Sequence, residues 1–320
     1  MKRFTIAAAV IALFGAAALF ARSETATRTV YFSALDKKGA PIADLKATEV
    51  VVKEADRSQV PLTVERATTP MRIAVVIDDH GLGVPEVRAS LTTFTEALRG
   101  RAEIGVFSTT LPEATVVDFT RDDRALAAGI EKLVRTHAAL NTDVTRPGLG
   151  LGALTDNVAR QFEQQGTARP VMIVVTIDQN CRNAPWVNSH FLTTDQQFDS
   201  VLRGTPEPCP GYSTKGTSPL IVEQVLRSRA TFFAIAARHS ALDDHDPVID
   251  ASAEASGGHV EAVLMDSAIP TALTRITDDL LNQYAVTYNS SPTPKDGARL
   301  RLTINRSDVI IRAPERVAVR

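Results

Sequence analysis

The sequence predicts a doubly wound α/β domain built on a mostly parallel sheet, with a small β-module made from the two flanks of the chain. Three observations carry that expectation. Ile73-Ala74-Val75-Val76-Ile77 runs apolar without alternation and stops at Asp78, and a second run from Val171 to Ile177 stops at Asp178. Such runs mark strands buried on both faces, as a parallel sheet covered by helices requires. Amphipathic helical patterns separate the apolar runs, which is the signature of βαβ units. Short alternating strands return at both ends of the chain.

The elements follow in order. Residues 29–34 read as a strand that enters a hairpin turn at Asp36-Lys37-Lys38-Gly39-Ala40-Pro41, and 50–53 and 60–64 read as further strands. No helix is expected before about residue 69. After the strand at Ile73 comes a helix over 85–98, with Val87, Leu91, Phe94 and Leu98 at spacings of three and four. Strands at 103–108 and 115–119 precede a helix over 122–135, whose Leu126, Ile130 and Leu133 share a face. A helix over 150–164 leads to the strand at Val171. Then come helix 220–227, strand 231–236, helix 248–255, strand 260–263 and an amphipathic helix over 268–283. Strands at 284–288, 299–305 and 309–312 close the chain, and they are expected to pair with the first strands. The units are therefore 24–69, 70–283 and 284–320.

At 320 residues, 44% hydrophobic and 22% charged, the chain can bury a sizeable core and is not of the disordered class. A net charge of −2 gives no ground for a nucleic-acid partner. Residues 1–23 read as a secretory signal: Lys2 and Arg3, an apolar stretch of about 17 residues from Phe4 to Phe20, then Ala21-Arg22-Ser23. An uncleaved anchor helix is the alternative, and only then is a membrane a partner. Export gives the two cysteines, Cys181 and Cys209, an oxidising environment. A bridge between them closes a loop of about 29 residues, worth roughly 3–4 kcal/mol in the chain-entropy account. Both lie in 179–219, about 40 residues of weak periodicity with Trp186, the single tryptophan. Connections of that length inside a compact domain are usually functional or disordered.

Several stretches in collinear order resemble the bacterial VWFA-related family, whose members carry a von Willebrand factor type A (VWA) domain. They are Ala34-Leu35-Asp36 through Asp44-Leu45, Ile77-Asp78, Phe119-Thr120-Arg121-Asp122, Ala153-Leu154-Thr155-Asp156, Thr176-Ile177-Asp178, Ala255-Ser256-Gly257-Gly258 and Ile276 through Tyr284. The resemblance implies a VWA (Rossmann-like) fold, and the secretory signal implies a periplasmic or secreted location in the bacterial envelope. The resemblance also implies a metal-ion-dependent adhesion site (MIDAS), in which an Asp-x-Ser-x-Ser turn, a threonine and a second aspartate hold magnesium or calcium. Carried over, Asp78 and Asp178 take the two aspartate positions, His80 and Leu82 the serine positions, and Gly152 the threonine position. Thr142 and Thr145 are the nearby threonines. Leucine offers no donor, and imidazole is a poor ligand for these hard cations. A degenerate MIDAS is therefore expected, with Asp78, Asp178 and His80 its remaining metal-site candidates and no resident cofactor. The binding face is expected at Asp79, Gly152, Trp186 and His190, and the partner is expected to be a protein.

The competing reading is a zinc-dependent carbohydrate deacetylase using Asp78, Asp79 and His80, since paired aspartates at a strand end with a histidine can hold a metal that activates water. It needs further histidines to converge, from among His137, His190, His239, His245 and His259. No Gly-x-Ser-x-Gly elbow is present, and Gly148-Leu149-Gly150-Leu151-Gly152 lacks the lysine of a phosphate loop. Asp243-Asp244-His245-Asp246 reads as a solvated loop. Arg299, Arg301, Arg306, Arg312, Arg316 and Arg320 read as a solvated basic face.

Overall fold

The computed structural model describes residues 27–77, 84–108, 115–140, 151–163, 167–177, 218–237, 247–290 and 297–317. Strands β5 (Met71–Ile77), β6 (Ala102–Ser108), β7 (Thr115–Thr120), β8 (Arg169–Ile177), β9 (Thr231–Ala237) and β10 (Val260–Val263) form one six-stranded sheet in the order β10-β9-β8-β5-β6-β7. All neighbours pair parallel except β7, which runs antiparallel to β6 at the edge. The expected doubly wound, mostly parallel sheet is thus present.

Alternation along the buried strands sorts their side chains between two helical layers. Ile73, Val75, Val106, Ile173, Val175, Phe233 and Ile235 pack with α1 (Val84–Ala97), α2 (Asp123–Leu140) and α6 (Ile269–Asn282). Ala74, Val76, Met172, Val174, Phe232 and Ala234 pack with α3 (Leu151–Glu163), α4 (Ser218–Ser228) and α5 (Pro247–Ser256). Both faces of β9 are covered, which is why seven consecutive residues from Thr231 to Ala237 are buried.

The flanks build the β-module. Strands β1 (Thr27–Asp36), β4 (Pro61–Arg66), β11 (Tyr284–Asn289) and β13 (Val309–Arg312) form a sheet ordered β13-β1-β11-β4. Strands β2 (Val50–Glu54), β3 (Arg57–Gln59) and β12 (Leu300–Ile304) form a second, ordered β12-β2-β3. Phe32, Val52, Tyr284, Val286, Tyr288 and Leu300 fill the core that the two sheets share.

The strand expected over 60–64 is present as β4, and the short strand before it, β3, was not expected. Ala55 (φ 48°) and Asp56 (φ 63°) form a two-residue hairpin turn from β2 into β3, and the chain then crosses to the other sheet at Val60 to become β4. Positive φ at both central residues matches the twist of the flanking strands. An Ala-Asp pair does not announce that turn as Asn-Gly does. The expected turn at Asp36 is present and tight: Asp36 Oδ1 accepts the Lys38 and Ala40 amides at 2.8 and 2.9 Å. It returns only to a single bridge between Leu35 and Pro41.

The basic C-terminal stretch needs correction. Arg299, Arg301 and Arg316 are exposed, as expected of a solvated face. Arg306 instead pairs with Asp44 at 2.8 Å and with Glu49, and Arg312 reaches Asp279 and His259. The carboxylates that claim these two guanidinium groups come from distant segments, so strand alternation does not reveal them.

Strand β10 begins three residues into the level of β9, and the turn after α5 replaces the missing partner. Ser256 Oγ accepts the Phe232 amide at 2.9 Å. Ser256→Ala leaves that buried N–H without its acceptor, and urea denaturation is expected to register a loss of about 1–3 kcal/mol. A loss within error of zero would mean that another group satisfies the amide.

Candidate functional site

In an open α/β sheet, the strand order creates one crevice at the carboxyl edge, where successive connections leave in opposite directions. Here that switch lies between β5 and β8, which are adjacent and parallel, with Ile77 opposite Val175. From β5 the chain proceeds through α1 to β6 on one side. From β8 it proceeds to α4 and β9 on the other. Residues 78 and 178 follow the last residues of these two strands.

Gly152 lies in the first turn of α3, the helix that packs over β5 beside the switch. Asp78, Asp79, His80, Asp178, Trp186, His190 and the pair Cys181 and Cys209 lie outside the described residues. So does the signal segment, and no helix among the described residues is long and apolar enough to cross a membrane.

Three hydroxyls near the switch were not singled out from the sequence. Ser108 ends β6 opposite Ile77 and is fully buried, as is Thr176 near the end of β8. Thr155, one turn into α3, is also fully buried, and its Oγ1 has no hydrogen-bond partner among the described residues. A hydroxyl at the last positions of an apolar strand, as in Val174-Val175-Thr176 and Val106-Phe107-Ser108, is the sequence signal that would have found two of them.

The donor set tests the metal implied by the resemblance. A hard divalent cation requires several oxygen ligands. Of the five aligned positions only Asp78 and Asp178 supply a side-chain oxygen, since Leu82 and Gly152 supply none and His80 supplies nitrogen. This set does not fit a MIDAS cation. Among the described residues, no three His, Cys, Asp or Glu side chains are grouped to hold a metal ion.

His259 is removed from the histidines available to the deacetylase reading. It precedes β10, three strands from β5 and thus about 14 Å across the sheet. Its imidazole is also committed elsewhere, to Glu261, Asp279 and Arg312. A separate groove of about 460 Å³ runs between α4 and α5 to the β-module, with Glu223, Glu254 and Glu315 along it.

No family model matches the chain, and no curated protein matches it. Several solved structures are similar at low identity. The human COPII-coat protein Sec24c aligns over 80% of this chain and 44% of its own, at 9% identity and a TM-score of 0.44. The vWF domain of the type V pili tip protein Mfa5 from Porphyromonas gingivalis aligns over 66% of this chain and 95% of its own, at 12% identity and a TM-score of 0.39. The pilus adhesin SpaC from Lactobacillus rhamnosus GG aligns over 88% of this chain and 48% of its own, at 10% identity and a TM-score of 0.43. The chain therefore spans less than half the length of Sec24c and of SpaC. Vwf-type and pilus proteins stand among its neighbours, and their activities are not transferred by similarity at this level.

Proposed function

We propose that this protein is a non-enzymatic VWA-type recognition protein, acting outside the cytoplasm and engaging a protein partner through the carboxyl edge of its six-stranded sheet. The observation that carries the reading is the topological switch between β5 and β8, at the strand ends that lead in sequence into Asp78 and Asp178. The collinear resemblance to the VWFA-related family supports the same edge. With three of five ligand positions replaced, recognition proceeds through the side chains of the edge, among them Asp79, Trp186 and His190, and not through a shared cation.

The test has two arms. Calorimetry of the protein with magnesium or calcium is expected to show no tight binding and no difference between wild type and Asp78→Ala. Tight binding that Asp78→Ala abolishes would restore a working MIDAS. Capture of envelope proteins is expected to be lost on deletion of 179–219 and weakened by about 30-fold or more in Trp186→Ala, the range of an aromatic anchor. Unchanged capture by both variants would remove the binding face from this edge. Zinc-dependent deacetylation of acetylated sugars that requires Asp79 would replace the proposal with the enzyme reading.

A further inference from the structure

Where β13 of the β-module meets the α/β body, five ionisable side chains converge. His259 precedes β10, Glu261 lies on β10, Asp279 and Arg275 on α6, and Arg312 on β13. His259 Nε2 lies 3.0 Å from Glu261 Oε1. Its Nδ1 lies 2.9 Å from Arg312 Nη1 and 3.4 Å from Asp279 Oδ2. Arg312 Nη1 also lies 3.2 Å from the same Asp279 oxygen. Arg275 holds Glu261 Oε2 at 3.0 Å, and the Phe233 ring meets the imidazole edge-on at 5.2 Å. Only 11% of the His259 side chain is exposed.

The geometry decides the tautomer. Guanidinium has donors and no acceptor, so the Arg312 contact requires a bare Nδ1. The single proton of the neutral ring is then on Nε2, which donates to Glu261. In that state the cluster is balanced: two carboxylates against two guanidinium groups. A second proton can only go to Nδ1. There it points at Arg312, turns a hydrogen bond into a contact between two cations, and finds its acceptor in Asp279 Oδ2.

We propose that His259 is a protonation-controlled latch between the β-module and the α/β body. Neutral, it accepts Arg312 of β13. Protonated, it releases Arg312 and takes Asp279 for itself. Arg312 is the member of this cluster contributed by the β-module, so acidification loosens β13 at this point while the α/β side of the cluster tightens. Burial opposes protonation of His259, but hydrogen bonds to Asp279 and Glu261 outweigh it and raise its affinity for a proton above the ordinary value, with Arg312 acting against them.

A group whose pKa is raised on folding adds stability that is complete below the unfolded value of about 6.5 and disappears as pH rises through the folded value. The contribution of His259 to global stability and the β13 contact must therefore respond to acid in opposite senses, which separates a latch from simple acid unfolding.

Histidine ¹⁵N spectra and hydrogen exchange of the full chain test this across about pH 5.5–8, with rates corrected for intrinsic exchange. The neutral ring is expected as the Nε2–H tautomer. Protection of the 309–312 amides is expected to fall about two- to fivefold as His259 gains its second proton, the range of a partly exposed charged contact. His259→Gln, whose carbonyl accepts from Arg312 at every pH, is expected to show a flat profile. Arg312→Gln is expected to raise the His259 midpoint, by the reciprocity of coupled equilibria. An Nδ1–H tautomer, a flat profile in the wild type or an unmoved midpoint in Arg312→Gln would each overturn the latch.

Discussion

Replacing Gly258 with alanine is expected to destabilise the protein by at least about 3 kcal/mol, the upper range of overpacking a core. A Cβ built on Gly258 comes within 1.8 Å of the Phe232 carbonyl oxygen. That oxygen belongs to the backbone of β9, a strand buried on both faces, so no side-chain rotation relieves the clash. The neighbouring Gly257 has φ +81°, and its Cβ would meet the Ala313 backbone at 2.6 Å. Two glycines therefore let the turn after α5 pass between β9 and the segment following β13. Urea denaturation measures the loss directly, and an unchanged slope shows that the surface exposed on unfolding is the same. A Gly258→Ala variant within 1 kcal/mol of wild type would show that the turn can move away at little cost.

Arg169 carries the second large effect. It begins β8 and is 2% exposed, an unusual place for a guanidinium group. Its Nη1 donates to Gln283 Oε1 at 2.8 Å and its Nη2 to the Leu280 carbonyl at 3.1 Å, while the group stacks over Tyr31 at 5.1 Å. Burial pulls its pKa down to about 10, opposed by Tyr31 and Asp279. Gln283 in turn donates to Ser33 Oγ at 3.2 Å on β1. One side chain of the α/β sheet thus reaches the end of α6 and, through Gln283, the first strand of the β-module. Arg169→Ala leaves two buried acceptors unpaired and removes the stacked surface, for an expected loss of about 2–4 kcal/mol. Arg169→Lys is expected to fall between, because an ammonium cannot reproduce the planar fork that serves both acceptors. Equal losses for Lys and Ala would show that charge contributes nothing here. A loss below 1 kcal/mol for Ala would show that water takes over both acceptors.

The α/β half of this architecture was legible because burial on two faces leaves an unmistakable pattern. Ile73 to Ile77 and Val171 to Ile177 had to be interior strands, and Val87, Leu91, Phe94 and Leu98 had to form one face of a helix. The β-module was legible as flanking strands, but not the crossing between its sheets at Val60. The Ala55-Asp56 turn that sets up that crossing has no glycine or asparagine to signal it. Asp78 and Asp178 stand out in the sequence by ending apolar runs, and the described strands β5 and β8 stop at the residues before them. The buried hydroxyl of Thr155 does not stand out, because a threonine in an amphipathic helix looks like any other half-polar position. His259 and Arg312 were equally silent. Their residue types suit a solvated loop and an alternating strand, and only their shared acceptor, Asp279, gives them a joint role.

The sequence by itself determined the buried strands and the helices of the α/β body, since periodicity and hydrophobic burial are local properties of the chain. It also determined, through residue chemistry alone, that Leu82 and Gly152 supply no side-chain oxygen to a MIDAS cation. Only the tertiary structure decided that β5 and β8 lie side by side at the switch, that Arg169 meets Tyr31, Leu280 and Gln283, and that His259 and Arg312 meet Asp279 where the two modules join. Those are contacts between residues up to about 140 positions apart. Charged groups tolerate burial only when distant partners arrive to satisfy them, and no local pattern in a sequence records which partners will come.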